Sequence, residues 1–375
     1  MRLLTSRFGR TPPAIGIDLG THSLKIAQVA FHDATLELAA VATVPVAPDA
    51  QANLQQRLRF FQDTIGGLLS QGDFRGRRAV LSLPSSCMYV HRVRLPQLDE
   101  QATSRALLWE TRGQIPVDVT QAVIRHVVAG AVHKDNEILN EIIVMAARRD
   151  FVEQLLAAAG KARLEVVGVV AEPLAMIGGL EVASDNDQTA RTRIFIDVGA
   201  AGTRVYIARG SRLLFARALP IKADDLSPPT AAEPRGAVPA RQKTEPALVC
   251  SGAVSGSSAA DACDTAVLEC EPQSPLPAAP APATAAMRRL RSELNMCRHY
   301  HEATFPQYAI EELILAGGGC GNESLRTHLS VFMGLPSRQA RPAVPLGSGI
   351  AGPSMRHPVW SVAVGLSLSS TRLAA

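Results

Sequence analysis

Asp18 and Asp197 stand in closely similar surroundings in the two halves of the chain. Each closes an apolar, largely β-branched run, and each is followed by a glycine-containing turn and a second apolar run. The stretches are Ile15-Gly-Ile-Asp-Leu-Gly-Thr-His-Ser-Leu-Lys25 and Ile194-Phe-Ile-Asp-Val-Gly-Ala-Ala-Gly-Thr-Arg204. Apolar runs around such a turn read as β-hairpins. Glycine lets the main chain come close to a phosphate, and successive turn amides form an anion-binding concavity. A carboxylate at the strand end can hold a hydrated magnesium ion beside those phosphates, so Asp18 and Asp197 are the expected metal-holding pair. The donors expected on one side are Gly20, Thr21, His22 and Ser23; on the other they are Gly199, Ala200, Ala201, Gly202 and Thr203. Lys25 falls on the same strand face as Asp18 and would neutralise phosphate charge. His22 has no neighbouring carboxylate or nucleophile, so it is not read as a general base. The chemistry is that of gripping the triphosphate of ATP, with Mg2+, from two sides.

A third motif fits the same ligand. Leu313-Ile-Leu-Ala-Gly-Gly-Gly-Cys-Gly-Asn-Glu-Ser-Leu325 reads as a buried strand, a glycine-rich turn and a helix start. Gly317, Gly318 and Gly319 would let an adenosine lie against bare backbone, and the helix N-terminus adds amide donors. In order, spacing and type, the three motifs resemble those of the actin-like ATPase superfamily.

The elements that must position these residues are legible around them. Strands are expected at 14–19, 23–31 and 35–44, then a helix over 52–70 with Leu54, Leu58, Phe61, Ile65 and Leu68 on one face, then a strand at 78–83. An inserted unit follows over 85–165. It has a strand at 88–95, a helix capped by Asp99, strands at 122–132 and 138–148, a helix at 150–160 and a strand at 164–170. That β-α-β-β-α-β order resembles a small ferredoxin-like unit. The second lobe begins near 191–193 and resumes after an insertion with a helix at 285–303 and a strand at 310–316; a helix at 357–368 closes the first lobe. The expected division is a flexible start (1–13), a first lobe (14–84 with 166–190 and 345–370), the insert (85–165), and a second lobe (191–222 and 285–344). Residues 223–284 are rich in Ala, Pro, Ser and Thr without sustained periodicity, and read as a disordered insertion.

Composition bounds the function class. The 375 residues are 47% hydrophobic, enough for the core of two or three lobes. The net charge of +4, without a clustered basic patch, does not argue for nucleic acid. No run approaches the ~18 apolar residues of a membrane span, and the first ten residues lack the apolar segment of a signal peptide. The six cysteines, at 87, 250, 263, 270, 297 and 320, form neither a C-x-x-C pair nor a zinc spacing, and read as reduced thiols of a cytoplasmic protein.

Within the superfamily the chain most resembles the PilM family of type IV pilus assembly. Gly16-Ile-Asp-Leu-Gly-Thr-His-Ser-Leu-Lys25 is close to that family's first hairpin, and Trp109-Glu-Thr-Arg-Gly-Gln-Ile-Pro-Val-Asp118 resembles its stretch around an Ile-Pro pair. Phe195 to Thr203, Leu213 to Ile221, the Arg291-Ser292 pair and Pro358-Val-Trp-Ser-Val-Ala-Val-Gly-Leu366 match further segments. The chain departs from the family after Ile221, where Lys222-Ala-Asp-Asp-Leu226 replaces a Gly-Gly turn, and at Arg288 and Arg289, where a Glu is usual.

The resemblance implies an α/β fold of the actin-like ATPase type, with ribonuclease H-like duplicated lobes and a small ferredoxin-like α+β insertion. It implies ATP and Mg2+ as ligands and adds Arg291 and Cys320 to the nucleotide-contacting set. Ala171-Glu-Pro-Leu-Ala175 is similar to a connector of the actin-like chaperone ATPases, whose Glu positions water and metal. Glu172 is therefore the catalytic candidate, set against its reading as a dipole-favoured helix-start residue before Pro173. The implied partner is the cytoplasmic tail of a PilN-like inner-membrane protein, held in a groove beside the insert near Ile115-Pro116-Val117 and Arg92, Arg94, Arg105 and Arg112. The location that follows is the cytoplasmic face of the inner membrane, with self-association a further expectation. The alternatives are a metabolite kinase of the same superfamily and a nucleotide-free pilus or secretion scaffold.

Overall fold

The computed structural model describes residues 12–32, 35–180, 190–226, 284–347 and 358–373. The first hairpin forms where its sequence expects it: β1 (Ile15–Leu19) runs antiparallel to β2 (Ser23–His32), which pairs with β3 (Thr35–Pro45). β1 is buried at every position because both of its faces are covered, as its unbroken apolar run requires. After a short α1 (Pro48–Ala52), Asn53 caps α2 (Leu54–Gln71) by accepting from the Gln55 and Gln56 amides. Leu58, Phe61, Ile65 and Leu68 line the buried face of α2 and pack on Ile15, Ile17 and Leu19. Each such side chain contributes ~1.5–3 kcal/mol by leaving water. β4 (Arg78–Leu83) lies parallel to β1 on its other side.

The insert follows as β5 (Met88–Pro96), α3 (Glu100–Glu110), β6 (Ala122–Lys134) and β7 (Glu137–Arg148). Asp99 caps α3 through the Ala102 amide. The tight turn between β6 and β7 places both Asp135 and Asn136 at positive φ, the backbone that a two-residue hairpin prefers. The three strands form a separate antiparallel sheet in the order β5-β7-β6.

The expected β-α-β-β-α-β unit closes earlier than position 165. α4 (Arg149–Lys161) turns Phe151, Leu155, Ala158 and Ala159 into the first-lobe core beside α2, and β8 (Glu165–Ala171) pairs in parallel with β4. The α+β insertion is thus spliced into a β4-to-β8 crossover, and it keeps three strands and one helix.

α5 (Glu172–Gly178) then leads to the second lobe, built from β9 (Thr192–Val198), β10 (Thr203–Arg209) and β11 (Arg212–Leu219). The first four residues of the expected disordered stretch are ordered. Ala223–Leu226 forms α6, with Leu226 buried beside α7 (Ala285–Thr304), and residues 227–283 lie outside the described residues. β12 (Ile310–Ala316), α8 (Glu323–Met333) and β13 (Ser337–Gln339) complete this lobe, and α9 (Ser361–Leu373) returns to the first. The sheet orders are β3-β2-β1-β4-β8 and β11-β10-β9-β12-β13, two copies of one antiparallel-then-parallel design. Among the described cysteines, Cys87 and Cys297 are free thiols.

The two chain segments that join the lobes meet through glycines. An added Cβ at Gly179 would stand 1.8 Å from the Ser361 carbonyl oxygen, and one at Gly365 1.8 Å from that of Ala175. α5 and α9 therefore cross backbone to backbone. The insert in turn is fastened to the second lobe: buried Glu141 on β7 accepts from Arg94 Nε at 2.6 Å and from the Tyr300 hydroxyl of α7.

Candidate nucleotide site between the lobes

The two hairpins carry the same cross-strand pair. Asp18 on β1 stands opposite Lys25 on β2, and Asp197 on β9 stands opposite Arg204 on β10. Lys25 Nζ lies 3.1 Å from Asp18 Oδ2, and Arg204 Nη1 lies 3.0 Å from Asp197 Oδ2. Both carboxylates are buried. Ser82 on β4 steadies the first strand end, accepting from the Leu19 amide at 3.1 Å and donating to Asp18 Oδ1 at 3.5 Å.

Glu172 enters from the start of α5. Its Oε1 lies 3.2 Å from Arg204 Nε, and its Oε2 accepts from the Ser85 amide at 2.6 Å. Burial pushes the Glu172 carboxyl above its ordinary value, Arg204 pulls it back, and Asp18 and Asp197 push it up again. Burial also works against the Arg204 charge, but Glu172 and Asp197 outweigh it and hold the guanidinium protonated.

These groups line a cleft of about 180 Å³ together with Gly20, Thr21, His22, Ser23, Gly199, Ala200, Ala201, Gly317 and Gly318. Met176, Pro358, Val359 and Val362 supply an apolar side. Gly317 has a structural reason to be glycine. Its φ is 77°, and a Cβ there would stand 2.1 Å from Asp197 Oδ1.

Five residues singled out from the sequence lie off the cleft wall. Thr203 is buried, and its hydroxyl donates to the Ile221 carbonyl at 2.7 Å. Gly202 backs onto Leu219, and Gly319 packs on Val198. Cys320 is buried, which pushes its thiol up to about 11. Arg291 stacks over the Phe332 ring at 4.4 Å, joining α7 to α8. The arginines expected along one groove are likewise spread out. Arg92 faces the second lobe between Phe215 and Tyr300, Arg94 is paired with Glu141, and Arg112 stacks on Trp109. Arg204 is the functional residue that the sequence reading passed over. The signal was present, since it follows Asp197 by the same seven-residue offset that separates Lys25 from Asp18.

Among the described residues no group of three or more His, Cys, Asp or Glu side chains is arranged to ligate a metal directly. Asp18, Glu172 and Asp197 each already face a protein cation. The donor set fits a magnesium ion that keeps its water and takes its inner ligands from phosphate oxygens, with Asp18 and Asp197 as outer acceptors.

Comparison with known proteins agrees with this architecture. The model of the family described as "Type IV pilus assembly protein PilM" matches residues 16–222. The solved "PilM-PilN type IV pilus biogenesis complex" superposes with a TM-score of 0.68 at 19% identity, covering 96% of this chain and 98% of that one. MreB 5 of Spiroplasma citri bound to AMPPNP matches with a TM-score of 0.44 at 13% identity, covering 98% of both chains. The ethanolamine utilization protein EutJ from Carboxydothermus hydrogenoformans gives 0.43 at 12%, covering 96% of this chain and 90% of that one. No curated protein sequence matches the chain. The fold is that of the actin-like ATPases.

Proposed function

The chain belongs to the PilM family of type IV pilus assembly proteins, and from that premise we propose that it is an ATP-binding scaffold whose lobe angle is set by what occupies the cleft. The observation that carries the reading is the repeated Asp–cation pair, one on each hairpin, facing the same cleft as the Gly317-Gly318 turn. A bound magnesium–nucleotide supplies phosphate charge and a divalent ion between the lobes. Lys25 and Arg204 would pair with its phosphate oxygens in place of their carboxylates, and the amides of the Gly20–Ser23 and Gly199–Ala201 turns would donate to the same group. Asp18 and Asp197 would then be free to accept from the ion's water shell. Gly318, with open space around its Cα, leaves room for the adenosine.

Glu172 suits a slow hydrolase at most. Arg204 and the Ser85 amide each hold one of its oxygens, so with Arg204 drawn to phosphate only Oε1 is freed to orient a water while Oε2 stays on the Ser85 amide. We read Glu172 as the residue that reports cleft occupancy to α5, with turnover weak or absent. The partner in this reading is a PilN-like inner-membrane protein, whose cytoplasmic tail binds beside the insert; the matched structure is of a PilM with a PilN. No described helix is long and apolar enough to cross a membrane, so attachment to the cytoplasmic face runs through that partner. Titration calorimetry of the full chain with ATP and Mg2+, followed by a phosphate-release assay, tests the reading. Saturable binding of one equivalent with little release is the expected result. Absence of binding would leave a nucleotide-free scaffold, and efficient transfer to a metabolite would leave a kinase.

A further inference from the structure

A second cavity, of about 410 Å³, lies between the insert and the second lobe and is larger than the nucleotide cleft. Its charged lining comes from Arg92 and His91 on β5 and from Arg204 and Arg217 on β10 and β11; no carboxylate lines it. Arg217 is paired with Glu293 at 2.8 Å, and Arg204 with Glu172 and Asp197. Arg92 differs from both. Among the described residues it has no ion-pair partner, yet its guanidinium is clamped, 4.9 Å from the Phe215 ring centroid and 3.9 Å from that of Tyr300. A guanidinium stacked on aromatic rings keeps its N–H fork free and fixed in plane, which is the arrangement that receives a planar or tetrahedral oxyanion.

Two hydroxyls at the same cavity point the same way. Tyr206 is 1% exposed and its hydroxyl faces that of Ser85; among the described residues neither hydroxyl has a hydrogen-bond partner beyond the other. Two hydroxyls that can bond only each other leave one O–H without an acceptor, and beside an arginine with no ion pair that spare donor marks a place where an acceptor belongs. The volume is within the ~300–1,000 Å³ of small-ligand pockets.

We propose that this cavity is an oxyanion-binding site separate from the nucleotide cleft, taking the carboxylate or phosphate group of a small molecule on Arg92, Tyr206 and Ser85. Arg204 forms the partition. On one side it holds Glu172 and Asp197 in the cleft, and on the other it lines the cavity. An anion there and a nucleotide in the cleft therefore act on the same guanidinium, and each changes the affinity of the other by the same factor.

The test is calorimetry on the full chain with inorganic phosphate in one arm and malonate in the other, against sodium chloride at equal ionic strength. It is done in a Lys25→Gln background so that phosphate taken up by the cleft does not contribute. One saturable equivalent of either anion is expected, and the tighter arm says whether the natural group is a phosphate or a carboxylate. Adding Arg92→Gln should weaken that binding by roughly tenfold or more. Tyr206→Phe, which removes only the hydroxyl and keeps the ring in the core, should weaken it several-fold with the melting temperature held. Absence of saturable binding of both anions overturns the proposal, as does Tyr206→Phe binding like its parent. ATP titration of the unmodified chain is read separately, so a failed nucleotide site and a failed anion site are distinguishable.

Discussion

Arg204 on β10 of the second lobe reaches across the cleft to Glu172 at the head of α5, Nε to Oε1 at 3.2 Å. The contact ties the second hairpin to the connector between the lobes. With Lys25 it leaves three buried carboxylates facing two cations. The cleft is therefore bridged by its own charges, and in the proposed reading a nucleotide has to break at least one of these pairs on entry.

Arg204→Ala should be costly out of proportion to its contacts. Removing one partner of a buried pair leaves the other charge uncompensated, which costs ~3–5 kcal/mol. Urea unfolding of Arg204→Ala against the unmodified chain reads this loss. Adding Glu172→Gln should restore part of it, because the worst of the orphaned charges is then gone. A single variant as stable as the parent shows that water already screens the cleft.

Asp18→Ala and Gly318→Asp should each weaken ATP binding, the first through the lost magnesium water contact and the second through charge. An added Cβ at Gly318 meets nothing within 4 Å, so the fold tolerates the substitution while a carboxylate enters the cleft. Losing a charge-assisted contact costs ~1.5–3 kcal/mol, roughly 10- to 150-fold in affinity. Calorimetric constants equal to those of the parent for both variants put the nucleotide elsewhere.

Glu172 gives the cleft a pH dependence with a definite sign. Burial raises its carboxyl above the unfolded value of ~4.3, so the native state holds the proton more tightly than the unfolded chain. This group's contribution to stability is then greatest below that value and falls as pH rises through the folded-state one. Glu172→Gln should match the parent near pH 4 and become the more stable of the two toward pH 7, read as melting temperature against pH. The opposite trend means that Arg204 outweighs burial.

Gly365→Ala should destabilise severely, since its methyl would meet the Ala175 carbonyl oxygen at 1.8 Å. Gly66→Ala on α2, where a Cβ meets nothing within 4 Å, is the control and should raise the melting temperature slightly. Equal melting temperatures for the two variants would show that the α5–α9 crossing yields.

The hairpins were legible because an Asp and a glycine turn between two β-branched runs admit few other conformations. α2 was legible because five apolar residues recur at helical spacing. The fate of β8 was not. Glu165–Ala171 reads as a strand in isolation, but which sheet edge accepts it depends on where α4 lies, and α4 lies on the first lobe through Phe151 and Leu155. Arg291 shows the same limit from the side-chain end. A helical arginine carries no mark of what it faces, and here it faces Phe332. Arg204 could have been found by laying one hairpin over the other, since the match of Lys25 to Arg204 is a register property and not a motif. Arg92 is legible as a groove candidate but its clamp is not, because the rings of Phe215 and Tyr300 come from β11 and α7, far along the chain.

The insert is threaded into the first lobe by covalent chain and tied to the second by Tyr300 and Glu141. In the proposed reading it acts as a strut across a hinge. A strut of this kind shortens the menu of lobe angles to those its two anchorages permit. In that reading it also passes a rotation at the α5–α9 crossing on to the insert, whose β6 packs on β11 of the second lobe. A protein resting on the insert would then receive the state of the cleft as a change of position, without touching the cleft.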